Sequence, residues 1–155
     1  MAVREETSAL QTKEAYEAEV KENFKWNGPL GIIQGLMLYL NTGLHNVQVV
    51  VPWFLYEITG SKTFVGVASS LQLYAHNVPQ FFGSALVEHL PVKKQAMLKY
   101  GWLSALSWLA IAAATYFLPR EANLPIFLFF YATSSVFMGL YLLVWTDVMS
   151  KIIPV

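Results

Sequence analysis

No lysine, arginine, aspartate or glutamate occurs from Trp26 to Tyr56. A helix over Leu30 to Tyr56 would be roughly 40 Å long at 1.5 Å per residue, longer than the ~30 Å hydrocarbon layer of a bilayer. The fold this predicts is an all-α, polytopic membrane protein. Composition agrees: the chain is 55% hydrophobic and 13% charged, whereas soluble domains carry about a quarter charged residues. Six of the ten acidic residues lie before Asn23. Charge is thus gathered into a head segment and short loops, as a bilayer requires.

The pattern of apolar runs predicts about four transmembrane helices, over approximately 30–57, 63–87, 96–118 and 124–148. Ahead of them, residues 1–29 read as a polar cytoplasmic arm. Within it Thr7 to Phe24 reads as a short amphipathic helix, capped by Thr7 or Ser8, with Tyr16, Val20 and Phe24 forming one narrow stripe. Asn27-Gly28-Pro29 predicts a break before the first span. The first 25 residues lack the apolar core of a cleavable signal, so the first span is expected to act as its own insertion signal.

Charge sets the expected orientation. With four spans both termini share one side, and that side holds Arg4, Lys13, Lys21, Lys25, Lys93, Lys94, Lys99 and Lys151. The other side holds only Lys62 and Arg120. An excess of basic residues marks the cytoplasmic side, so both termini are expected there. Zero net charge gives no reason to expect nucleic acid as a partner. The chain has no cysteine, which excludes disulfides, thiol chemistry and Cys-ligated metals.

Polar residues at membrane depth carry the functional signal. Gln34, Asn41, His45 and Gln48 follow helical spacings of seven, four and three in the first span. In the second, Gln72, His76 and Gln80 repeat every four residues, with Asn77 beside them. His45 and His76 fall near the centres of their spans. Polar groups in hydrocarbon must face protein or water, so the two stripes read either as a shared cavity or as hydrogen-bonding contacts between helices. The two histidines, with no carboxylate at their depth, make a poor metal set, and no metal or cofactor is expected. Pro52 and Pro79 fall inside spans and are expected to free the carbonyls of Gln48 and Ala75. Gly31 and Gly35 form a small-xxx-small pair, and Thr133, Ser134, Ser135 and Gly139 read as small packing residues. Asp147 is expected at the cytoplasmic boundary, within reach of Lys93 or Lys94. HExxH, phosphate-loop and GxSxG motifs are all missing, so the chain is not read as an enzyme.

Four stretches together resemble the amino-terminal part of a bacterial major facilitator superfamily transporter, over roughly Asn23 to Val155. They are Asn23-Phe24-Lys25-Trp26-Asn27, the turn from Ile58 to Gly66, Val78-Pro79-Gln80-Phe81-Phe82-Gly83, and the end from Thr146 to Pro154. The family's cytoplasmic gate loop between spans two and three is matched by Gly83, Glu88, Lys93 and Lys94, with Asp147 near it. The match has one residue more between glycine and acid, and Pro91-Val92 in place of the second glycine. The resemblance implies a bacterial cytoplasmic membrane and a transporter whose site lies near the midplane between two six-helix halves. Four spans would supply one wall of that cavity. Two roles are therefore expected: a transporter portion completed by further helices, or a transporter-derived structural subunit of a larger membrane complex. Partners are the lipid bilayer, other transmembrane helices or subunits, and a bound lipid or pigment.

Overall fold

A computed structural model of the chain describes residues 2–44, 49–90 and 92–152. All regular structure among them is helical, in five helices: α1 (Ala2–Leu44), α2 (Val50–Thr59), α3 (Lys62–Glu88), α4 (Lys93–Phe117) and α5 (Arg120–Ile152). Two of these are long and apolar enough to cross a membrane: α4, and Ala122–Lys151 of α5, with mean hydropathies of 1.2 and 1.9. The helices form two compact units. One combines α1 up to Asn41 with α5 from Asp147, and the other runs from Thr42 to Thr146.

In the first unit the expected break at Asn27-Gly28-Pro29 does not occur. α1 runs through it as one helix, with Pro29 inside. Proline removes one hydrogen bond but leaves the flanking turns intact, and Gly28 makes room for an aromatic neighbour. A Cβ on Gly28 would lie 3.3 Å from ring carbons of Phe24. The short capped helix is likewise replaced by a longer one that begins at Ala2, ahead of Thr7 and Ser8. Tyr16 of the expected stripe donates to the carbonyl of Lys151 at 2.8 Å. It thereby satisfies one of the last-turn carbonyls that a helix cannot pair internally. Of the glycine pair, Gly31 faces the Met149 sulfur, whereas a Cβ on Gly35 would meet no atom within 4 Å.

The first span also differs from expectation. It is divided between α1, ending at Leu44, and α2, starting at Val50. Pro52 stands in the first turn of α2, where its missing N–H has no intrahelical partner to lose. The remaining helices match the apolar runs within a few residues, because run length and bounding turn residues set their ends.

In the second unit the turn between α2 and α3 is built by Gly60. Its φ of 64° is left-handed, and its N–H bonds the Tyr56 carbonyl at 2.7 Å. Thr59 closes the same turn, donating to Leu55 at 2.6 Å and accepting from the Ser61 N–H at 3.2 Å. A side chain at Gly60 meets nothing within 4 Å, so Gly60→Ala isolates the backbone term. We expect it to lower stability by about 1 kcal/mol, the cost of a left-handed non-glycine residue. Denaturant titration in detergent reads this loss, and an unchanged midpoint would show that the turn relaxes freely.

Helices α2 to α5 all contribute to one core: Val51 and Leu55, Ala68, Ile111, and Phe127 with Tyr131. The buried positions of α4, namely Ser104, Ser107, Ile111 and Ala114, recur every three or four residues. Large apolar side chains lie on the opposite faces. Phe81 and Phe82 of α3, Trp102 and Phe117 of α4, and Phe129 of α5 are all exposed.

Candidate functional site

The polar stripe of α3 lies on the packed side of its helix. Gln72, His76 and Gln80 are half-buried and align with the buried Ala68, Gly83 and Val87. Asn77 lies off the stripe and is exposed, and its amide donates to the Leu73 carbonyl at 2.8 Å. Gln80 donates to the His76 carbonyl at 3.2 Å. The half-buried His76 side chain faces the backbone of Ser135 on α5. Helix α5 comes closest to α3 at this point, where a Cβ on Gly139 would collide with the His76 carbonyl oxygen. Two turns further on, a Cβ on Gly83 would lie 2.9 Å from Leu143 and 3.1 Å from Leu140. Small residues thus let α3 and α5 approach until backbone meets backbone, and the polar side chains bond within that contact.

The contact between α4 and α5 follows the same chemistry. The hydroxyls of Ser104 and Ser134 are 2.9 Å apart, both within the buried interface. Ser107 and Ser135 bond back to Leu103 and Tyr131 in their own helices, at 2.9 and 2.8 Å. Beside them runs a chain of rings. Phe54 touches Phe127 at 5.3 Å between centroids, Phe127 stacks on Tyr131 at 5.3 Å, and Tyr131 meets Trp108 edge-on at 6.0 Å. Tyr131 is 1% exposed, and its hydroxyl finds no hydrogen-bond partner among the described residues.

Next to this ladder, α2, α4 and α5 line an open pocket of about 500 Å³. Trp53, Phe54, Trp108, Tyr116 and Phe127 supply its rings, and Val50, Val51, Ile111, Ala112 and Thr115 complete the wall. The sequence offered no signal for it, since the wall is drawn from three helices.

The other expected site residues are placed as follows. Gln34 and Asn41 belong to the first unit, each with an interaction of its own. His45 and Gln48 lie outside the described residues. Of the expected gate loop, Gly83 and Glu88 are inside α3, with Glu88 its last residue, and Lys93 and Lys94 open α4. Gly83 therefore acts as a packing glycine and makes no turn. The connection itself is only residues 89–92. Asp147 pairs with Lys151, one turn away in α5, at 3.1 Å. Such an exposed (i, i+4) pair contributes about 0.3–0.5 kcal/mol. Among the described residues, no three histidine, aspartate or glutamate side chains gather as a metal site.

Comparison with protein-family models, characterised proteins and solved structures finds no match.

Proposed function

We propose that this chain is a membrane-embedded helical bundle of major facilitator type. In this reading it forms part of a transporter, with Gln72, His76 and Gln80 on the wall of a midplane cavity that further helices complete. One observation carries the membrane reading: the second unit is apolar outside as well as inside, with large rings exposed around an apolar core. On α3 the half-buried stripe is polar, while Phe81 and Phe82 are 81% and 77% exposed. In water such faces would drive aggregation, but hydrocarbon or neighbouring helices accept them without penalty. The resemblance set out above adds the transporter class and a bacterial inner membrane, and the eight-to-two distribution of basic residues adds cytoplasmic termini.

A second role, as a structural subunit without transport, draws support from the places of His76 and Gln80 inside the bundle. Gln80 donates to the His76 carbonyl within α3, and His76 sits where α3 meets α5. The native complex distinguishes the two roles. Membranes are washed with alkaline carbonate, extracted in mild detergent, and the chain is isolated with whatever accompanies it. A stoichiometric partner that brings further transporter helices, and a complex whose substrate uptake in vesicles falls at least tenfold in His76→Leu, fit the transporter role. Association with an unrelated membrane complex, with no change on His76→Leu, fits the structural one. Release of the chain by carbonate would defeat both.

A further inference from the structure

The aromatic pocket between α2, α4 and α5 plays no part in the polar stripe, and its chemistry defines an occupant. The hydroxyl of Thr115 in its wall is already donated to the Ile111 carbonyl at 2.8 Å. The only other polar side-chain atoms of the wall are those of Trp53, Trp108 and Tyr116, so a ligand carrying sugar, phosphate or peptide groups into this space would replace few of their hydrogen bonds to water. The volume is equally informative. An apolar cavity of about 150 Å³ holds one benzene, and this pocket, at about 500 Å³, has room for a long alkyl segment. Trp53 and Tyr116 stand at the mouth, 66% and 82% exposed, so the pocket opens directly onto the apolar surface. Behind it, the ring ladder through Phe127 to the buried Tyr131 gives the floor little freedom to collapse.

We propose that this pocket holds one straight acyl chain of a membrane phospholipid, with the headgroup left outside beside Tyr116. The inference rests on the membrane reading above. The wall comes from the C-terminal half of α4, the start of α5 and the first turns of α2. With cytoplasmic termini, these segments lie in the outer leaflet, which would supply the lipid.

The test is native mass spectrometry of the full chain, extracted from membranes in dodecyl maltoside and washed through fresh detergent. One phospholipid per chain is expected to survive the wash. Filling the pocket from either wall, by Ala112→Phe on α4 or Val50→Phe on α2, is expected to cut that occupancy at least tenfold. Ala113→Phe, next along α4 but outside the wall, is expected to keep it. Equal retention in all three variants would overturn the proposal, as would a washed wild-type chain carrying no lipid. A dimer that closes the pocket without lipid would overturn it too. If both filled variants fail to fold, the unaltered chain decides. Adding back dioleoylphosphatidylcholine should saturate at one lipid per chain, and binding that never saturates would reject the site. Failure of the membrane reading is seen separately, as chain released into the carbonate wash.

Discussion

Replacing Gly139 with leucine is expected to leave no folded chain in a detergent extract. The obstacle is main chain: even the first carbon of a side chain at this position would overlap the His76 carbonyl oxygen. That oxygen is fixed in the middle of α3 and also accepts from Gln80. Relief requires the two helices to separate, which opens the packing between His76 and Ser135. Alanine, the smallest change, is expected to cost about 1–3 kcal/mol, the usual range for overpacking a tight contact. Gly83→Ala makes the control, because there the added carbon meets only the ends of Leu140 and Leu143, which can rotate away. Fluorescence-detected size exclusion and thermal melts should rank Gly139→Leu below Gly139→Ala, and that below Gly83→Ala. If the two alanine variants melt together, α3 and α5 do not cross as closely as described.

At Tyr131 two substitutions should act in opposite directions. Its ring is fully buried between Phe127 and Trp108, but its hydroxyl is buried without a partner among the described residues. An unsatisfied buried hydroxyl costs about 1–3 kcal/mol, so Tyr131→Phe, which keeps the ring and removes the oxygen, should raise the melting temperature. Tyr131→Ala removes the ring and leaves a cavity where α2, α3, α4 and α5 meet. We expect a loss of about 3 kcal/mol, the low end for aromatic truncation, because lipid tails are as apolar as the core and only the packing term is forfeited. Equilibrium unfolding in mixed micelles measures both. A phenylalanine variant less stable than wild type would mean that the hydroxyl has a partner after all, such as an ordered water.

The limits of the sequence reading follow from what a one-dimensional pattern encodes. Apolar run length and bounding turn residues are local, so the ends of α3 and α4 fall close to the expected spans, whereas α5 runs past its span of 124–148 at both ends. The four-residue repeat of Gln72, His76 and Gln80 is also local, and it correctly puts those residues on one face of α3. Proline is read less well, because its effect depends on context. Pro29, expected at a break, lies within α1, and Pro52, expected inside a span, lies in the first turn of α2. Gly83 shows the same ambiguity: a glycine near a predicted loop serves a turn or a close contact, and only its neighbours on α5 decide which.

By itself, then, the sequence determined the helical class, the approximate extents of α3 and α4 and the polar face of α3, since periodicity and run length need no knowledge of neighbours. Tertiary structure alone decided that Gly139 meets the His76 backbone, that Ser104 pairs with Ser134 thirty residues away, and that five aromatic rings from three helices wall one pocket. Each of these depends on which helices lie side by side and at what register. Many small apolar residues along a helix satisfy the same periodicity, and packing selects among them.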